Sequence, residues 1–138
     1  MGSHMLKGEC NCGAVAFEID ADVKDIYMCH CSICRKWTGN NGVAVIVVTN
    51  ESLTWRRGED QIGHWHKPSA DWHSAFCKVC GSALPVANDA ARMAVPVGLL
   101  DDTKTDLHVA AHIWVASKAG WDEIGDDGQQ YECAFGQA

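Results

Sequence analysis

Apolar and polar residues alternate in short runs along most of the chain. Residues 14–19 alternate directly after Gly13, and residues 43–49 form a continuous, largely β-branched run. Alternation with a period of two places successive side chains on opposite faces of a sheet, and a short β-branched run is typical of a buried strand. Further runs of this kind are residues 53–55, 62–66, 73–77, 83–87, 93–97 and 112–115. Gly, Asn, Asp and Pro separate the runs, so the sequence predicts a mainly β protein whose sheets are joined by hairpins.

Only one segment is predicted to be helical. Residues 31–36 can form one or two turns with Ser32 as the N-cap, and the helix is expected to end before Thr38 and Gly39. The predicted fold class is therefore mainly β, with small antiparallel sheets and one short helix.

The length of the chain suits one domain once its first residues are set aside. Residues 1–5 (MGSHM) look like the remnant of an expression tag. We expect a single domain over residues 6–125, because a chain of this size buries one hydrophobic core. Residues 126–138 are predicted to be a polar C-terminal tail, since they open with two aspartates, a glycine and two glutamines.

Hydropathy and charge disfavour two classes of partner. No apolar run approaches the ~20 residues of a membrane-spanning helix, and Leu6, Lys7 and Gly8 run into the first cysteine pair without a signal peptide. The formal net charge is −7, whereas nucleic-acid binding depends on neutralising phosphates with Lys and Arg. We therefore expect a cytoplasmic protein that binds neither membrane nor nucleic acid.

Cysteine spacing is the strongest chemical signal in the sequence. Seven of the eight cysteines fall into three short clusters. The clusters are Cys10 with Cys12, Cys29 with Cys31 and Cys34, and Cys77 with Cys80. Such close spacing without a secretory signal is more typical of metal ligands than of disulfides. The sequence therefore predicts bound zinc.

The two cysteine pairs together make a complete ligand set. Cys10, Cys12, Cys77 and Cys80 would surround one Zn²⁺ with four thiolates, which is the closed arrangement of a structural site. Such a site would tie the start of the chain to its middle and contribute directly to folding.

The cysteine triplet leaves a zinc ion one ligand short. If a protein side chain supplies the fourth ligand the site is structural, whereas an open position would make the zinc a Lewis acid. The candidate protein ligands are His30, His64, His66, His73, His108, His112 and Cys133. His30 lies between two of the cysteines, so its side chain is expected to point away from a metal that they share. The residues alone leave the open and the closed site as equal alternatives.

Five segments of the chain together resemble one known family. They are residues 8–13 (GECNCG), 29–36 (CHCSICRK) with Thr38 and Gly39, 76–82 (FCKVCGS), 97–102 (VGLLDD) and 112–121 (HIWVASKAGW). With these segments the chain resembles the glutathione-dependent formaldehyde-activating enzymes, a group that includes centromere protein V. The resemblance implies a tent-like β fold of small sheets held by zinc. It also implies two zinc ions per chain, one structural on the two cysteine pairs and one catalytic on the triplet.

The reaction implied by the resemblance is the reversible addition of glutathione to formaldehyde, which gives S-hydroxymethylglutathione. It is classed as a carbon–sulfur lyase reaction. We therefore expect a zinc-dependent, lyase-like enzyme that acts on a small carbonyl compound or thiol adduct, or a related hydrolase with another substrate. The alternative is a non-catalytic, zinc-stabilised module that binds a protein partner. Either form would be a monomer or a homodimer.

Three histidines are candidate catalytic residues. His64 and His66 alternate, so in a strand they would share one face. His112 opens one of the segments that carry the resemblance. Imidazole titrates near neutral pH and could move a proton in the reaction. Each histidine also has a simpler interpretation, an exposed strand residue for His64 and His66 and a buried, hydrogen-bonded residue for His112.

Three other residues are candidates for binding the substrate or cofactor. Trp37 follows the cysteine triplet and could form an apolar wall beside the metal. Arg35 and Lys118 could each bind a carboxylate of the substrate. The simpler interpretations are core packing for the tryptophan and surface charges for the two cations.

Overall fold

The computed structural model describes residues 5–101 and 106–135, and this part of the chain is mainly β. Its strands are β1 (Met5–Glu9), β2 (Ala16–Asp20), β3 (Asp25–Cys29), β4 (Val43–Thr49), β5 (Leu53–Arg57), β6 (Ile62–His66), β7 (His73–Cys77), β8 (Val86–Ala87), β9 (Arg92–Pro96), β10 (His108–Ile113) and β11 (Gln129–Gln130). The helix is α1 (Ser32–Thr38), and the 3₁₀ turns are Asn50–Ser52, Glu59–Gln61, Val97–Leu99 and Val115–Ser117. The predicted fold class, small sheets with one short helix, is confirmed.

The chain folds as two compact units. The first unit is formed by Met1–Val23 and Val47–Thr105, and the second by Lys24–Ile46 and Asp106–Ala138. Because each unit draws on two separate parts of the chain, neither is a continuous sequence segment.

The first unit contains small antiparallel sheets. Strands β1, β2 and β5 pair in that order, and β6 pairs with β7 as β8 does with β9. Its core includes Val15, Ala75 and Leu84, all inaccessible to solvent, together with the buried thiols of Cys10 and Cys77. The core of this unit is therefore continuous with two of the predicted metal ligands.

The second unit is built around strand β10. The strand order is β11-β10-β3-β4, with β3 antiparallel to β4 but β10 parallel to both β3 and β11. The prediction of hairpin-joined sheets does not account for these parallel pairs. Alternation indicates that a segment is a strand but not its direction, and a parallel partner needs a long crossover connection.

Several predicted local boundaries were wrong, and three of them have a clear local cause. Cys31, not Ser32, is the N-cap of α1, because its Sγ accepts a hydrogen bond from the Cys34 amide at 3.3 Å. Strand β8 is only Val86–Ala87, since the preceding Pro85 has no amide hydrogen to donate. Strand β10 ends at Ile113 because Trp114 adopts the left-handed conformation with φ 58°.

Residues 126–135 belong to the second unit and are held in it by hydrogen bonds and ring contacts. Strand β11 pairs with Ala111 and His112, and the Tyr131 carbonyl accepts from the Val115 amide at 3.1 Å. The Phe135 ring meets that of Tyr27 edge to face, with centroids 5.2 Å apart. The boundary predicted at residue 126 stays a prediction, but residues 126–135 are part of the folded structure.

No helix within residues 5–101 and 106–135 is long and apolar enough to cross a membrane.

We expect Leu84→Ala to lower the free energy of unfolding by about 2–5 kcal/mol, because truncating a fully buried leucine leaves a cavity. Leu84 is 0% exposed in the core of the first unit. Urea denaturation of the metal-loaded protein, followed by tryptophan fluorescence, measures the loss. The control is Val79→Ala, which should change the value by less than about 0.5 kcal/mol, because Val79 is 63% exposed. Equal losses in the two variants would contradict this description of the core.

Candidate functional site

The first unit brings four cysteine sulfur atoms into one group. The Sγ atoms of Cys10, Cys12, Cys77 and Cys80 all lie within 4.8 Å of one another. Cys10 and Cys12 are 3.6 Å apart and Cys12 and Cys77 are 3.9 Å apart, measured between the sulfurs. Four sulfurs bound to one zinc at about 2.3 Å in a tetrahedron would be separated by about 3.8 Å. The group could therefore hold a metal ion, and its spacing fits zinc.

Local structure places hydrogen-bond donors beside three of these sulfurs. The Val15 amide donates to Cys10 Sγ at 3.3 Å and the Ala14 amide to Cys12 Sγ at 3.4 Å. Gly13 follows the first pair with φ 80°, a left-handed turn that favours glycine. The hydroxyl of Ser82, 3.2 Å from Cys80 Sγ, is the main cause that lowers the pKa of Cys80 to about 5.

In the second unit, the three cysteines of the triplet lie within six residues and their sulfur atoms come close together. Cys29 ends β3, Cys31 caps α1 and Cys34 lies in its first turn, with all three Sγ atoms within 4.8 Å of one another. Hydrogen bonds from the thiols of Cys29 and Cys34 lower the pKa of Cys31, and the Cys34 amide adds to that effect. The same thiol contacts raise the pKa of Cys34. One thiolate thus forms readily, and a cation is needed to stabilise the others.

The triplet has no fourth ligand atom among the described residues of the second unit. The three-sulfur group contains none of His30, His108, His112 and Cys133, which were candidate ligands from this unit. These three thiols could hold a metal ion and would leave one tetrahedral position for another molecule. The candidates His64, His66 and His73 belong to the first unit.

Two buried histidines form a hydrogen-bonded chain beside the triplet. His30 and His112 are 1% and 3% exposed. His30 Nε2 lies 2.8 Å from His112 Nδ1, and His112 Nε2 lies 2.8 Å from Asp126 Oδ1. Hydrogen bonds from His112 and from the Gly128 amide hold the pKa of Asp126 below its usual range. Burial lowers the pKa of His30, and His112 adds to the effect.

His112 is therefore placed as the simpler interpretation expected, buried and hydrogen-bonded at both ring nitrogens. Its catalytic role stays a prediction. Sequence reasoning missed its partners His30 and Asp126. The position of His30 inside the CHC segment was visible, but no pattern connects it with a carboxylate that lies far away along the chain.

The predicted substrate-binding residues all lie in the second unit. Arg35 is half-buried, and its Nε donates to the Ser117 carbonyl at 3.2 Å. Lys118 is half-buried, and its Nζ donates to the Asp122 carbonyl at 2.5 Å. Trp37, at the end of α1, is also half-buried. Arg35 and Lys118 are thus held by backbone carbonyls rather than extending freely into solvent.

His64 and His66 lie on exposed positions of β6 in the first unit. They share one face of the strand by their spacing, as the sequence predicted. His66 stacks on His73 across the hairpin, with ring centroids 5.0 Å apart. The structure places these histidines in a different unit from the triplet, so their catalytic role stays a prediction.

The chain is similar to known proteins in sequence and in fold. The model of the glutathione-dependent formaldehyde-activating enzyme family matches residues 5–117. A curated protein of Halomonas elongata, whose name assigns it provisionally to the same activity, is 26% identical, with 96% of this chain and 88% of that protein covered. A crystal structure of a Rhodobacter sphaeroides protein is 24% identical with a TM-score of 0.59, covering 71% of this chain and 90% of the other. This last likeness is one of fold alone.

We expect Gly42→Ala to weaken metal binding at the triplet by roughly tenfold, a loss typical of changes next to a metal site. A Cβ atom at Gly42 would overlap the carbonyl oxygen of Cys29, so the backbone of that cysteine must move. Competition with a chromophoric chelator measures the affinity.

The matched control for this variant is Gly39→Ala. Gly39 also has a positive φ, of 70°, but a Cβ there meets no atom within 4 Å. Its left-handed backbone should cost about 1–2 kcal/mol of stability and leave the metal affinity unchanged. Unchanged affinity in Gly42→Ala would contradict the close packing of Gly42 against Cys29.

Proposed function

The chain belongs to the glutathione-dependent formaldehyde-activating enzyme family, and on that premise we propose that it is a zinc-dependent enzyme of the carbon–sulfur lyase type. Its substrate would be S-hydroxymethylglutathione or a similar small thiol adduct, or another compound if the chain is a related hydrolase. The observation that carries the proposal is the group of three thiols, which has no fourth ligand atom among the described residues of its unit.

The proposed reaction balances without an oxidant or reductant. In the direction of addition, the thiol sulfur forms a bond with the carbonyl carbon of formaldehyde, and the carbon–oxygen double bond becomes a single bond. The proton lost by the thiol ends on that oxygen. Two requirements follow: the negative charge of the sulfur or oxygen must be stabilised, and a proton must be moved between them.

Zinc on the triplet would supply a Lewis-acid position with affinity for sulfur and for a carbonyl-derived oxygen. Cys29, Cys31 and Cys34 would hold it, and the second zinc would be held by the four cysteines of the first unit as a structural ion. The donor chemistry supports this division, because four thiolates close a tetrahedron and three do not.

Arg35 and Lys118 are proposed to bind carboxylates of a glutathione-like substrate. The bond from Arg35 Nε to Ser117 orients the guanidinium beside the helix that carries Cys34. Two of the three Lys118 donor positions point to backbone carbonyls, at 3.4 Å and 2.5 Å. Trp37 is proposed to form an apolar wall of the site. His64, His66 and His112 remain the proposed groups for moving the proton.

The proposed enzyme acts in the cytoplasm, as a monomer or homodimer. Thiolate ligands and an open metal position require reduced cysteines, which a reducing compartment maintains.

A protein-binding zinc module is the second candidate, and exposed aromatic residues of the second unit favour it. Trp121 is 70% exposed and Phe135 52% exposed, and both are large apolar side chains. Such residues are enriched in protein interfaces. The two candidates differ at the triplet, because a module needs no exchangeable ligand there.

We expect Cys31→Ser to leave a folded protein that retains about one zinc per chain and has no activity, because only the three-thiol site loses a ligand. Cys77→Ser should instead unfold the protein, since structural zinc sites contribute roughly 10–16 kcal/mol. Zinc content, circular dichroism and exchange NMR of labelled formaldehyde with glutathione measure the three properties.

The control for both variants is Cys133→Ser, because Cys133 lies outside both sulfur groups. This variant should keep two zinc ions and full activity. If Cys31→Ser and Cys77→Ser unfold alike, the metal on the triplet is structural and the enzyme proposal fails.

X-ray absorption at the zinc edge separates the enzyme from the module. If the chain is an enzyme, the zinc coordination averaged over the two sites should include an oxygen or nitrogen ligand, and added thiol should replace that ligand. A shell made only of sulfur, or of sulfur and one imidazole, and unchanged by added thiol, would favour the module.

A further inference from the structure

The hydrogen-bonded chain Asp126–His112–His30 ends inside the cysteine triplet. His30 is the residue between Cys29 and Cys31, and its ring is held at Nε2 by His112. The second imidazole is in turn held at Nε2 by Asp126. Both heavy-atom distances are 2.8 Å, well within the range of good hydrogen bonds. The Asp126 carboxylate, which lies outside the sulfur group, is thus connected through two imidazoles to His30, whose backbone neighbours are Cys29 and Cys31.

The Asp126 carboxylate determines which ring nitrogens of His112 and His30 donate hydrogen bonds. An ionised Asp126 only accepts hydrogen bonds, so His112 must carry its proton on Nε2. The Nδ1 of a neutral His112 is then an acceptor, and His30 must donate from its own Nε2. This assignment leaves His30 Nδ1 without a proton. That atom is buried without a hydrogen-bond partner, although the Asp122 carboxylate, 3.8 Å away, and the Asn41 backbone both act to raise the pKa of His30.

The backbone around His30 is fixed by further contacts. The His30 amide donates to the Ile113 carbonyl at 3.0 Å, one residue from His112. Gly42 lies so close to Cys29 that a side chain there would overlap it. The ring bond through His112 adds a restraint at the side chain, so the CHC segment is held at both its backbone and its central residue.

We propose that Asp126 is a positioning residue for the metal on the triplet. It acts through His112 and His30, whose fixed rings hold Cys29 and Cys31 in the geometry that metal binding needs. The inference rests on the proposed zinc site but not on the proposed reaction. Partners of this kind, one contact removed from the ligands, typically change metal affinity by about 10–100-fold when they are lost.

Long-range ¹H–¹⁵N NMR of the zinc-loaded protein tests the direction of the chain. Both His30 and His112 should show a protonated Nε2 and an unprotonated Nδ1, with slowly exchanging Nε2 protons. A protonated Nδ1 on His112, or on His30 toward Asp122, would reverse the assigned direction and overturn the proposal. This measurement needs no variant and no substrate.

Zinc release by Asp126→Asn tests the positioning role. The asparagine keeps the oxygen that accepts from both His112 Nε2 and the Gly128 amide, but it removes the negative charge that strengthens the bond to His112. Zinc loss from the triplet to excess chelator should become roughly tenfold faster. Zinc release should follow two kinetic phases, one for each site. The phase that disappears in Cys34→Ser belongs to the zinc of the triplet. The slower phase, from the four-cysteine site, should have the same rate in Asp126→Asn as in the wild type.

Asp127→Asn is the matched control, because it makes the same charge change one residue along the chain. It should release zinc from the triplet at the wild-type rate. Equal acceleration in both variants would show a general charge effect and overturn the proposal, as would an unchanged rate in both. If zinc release behaves as expected but the protein has no lyase activity, the proposed function fails and the positioning role stands.

Discussion

Convergence of thiol sulfurs is the constraint on which the two units depend. Each unit places a group of cysteine Sγ atoms within 4.8 Å of one another. Thiolates at this separation repel each other strongly, so the arrangement is stable only if protons are shared or a cation lies among them. In the first unit the buried sulfurs of Cys10 and Cys77 also belong to the hydrophobic core. Loss of a cation there would disturb apolar packing as well as charge.

The two sulfur groups differ in the length of the polypeptide loop that a bound metal would close. Cys10 and Cys77 come from distant parts of the sequence, so a metal that joins them offsets the entropy of closing a long loop. The triplet spans only residues 29–34, and little chain entropy is involved in bringing its sulfurs together. A local site is less necessary for folding and can leave a coordination position for another molecule. This contrast supports a structural role for the first group and a chemical role for the second.

Sequence patterns predicted the features that depend on neighbouring residues, namely individual strands and cysteine clusters. A continuous β-branched run located β4, and short apolar runs located β6 and β7, all with their observed bounds, while cysteine spacing identified both sulfur groups. The parallel pairing of β10 could not be predicted, because alternation carries no direction. Cys31 was missed as the N-cap because serine is the usual acceptor at that position. Asp126 was assigned to a polar tail, since nothing local marks a carboxylate that reaches a buried histidine.

The position of His30 shows why a histidine between two metal ligands need not be a ligand itself. Its backbone cannot leave the triplet, because Cys29 and Cys31 flank it, but its ring turns to the neighbouring strand and is bonded at Nε2 to His112. With that nitrogen occupied, the ring restrains the segment instead of completing the metal shell. The three sulfurs lie at the junction where β3 ends and α1 begins, so no single element holds all of them. Rigidity must therefore come from outside the segment, through Ile113, Gly42 and the histidine pair.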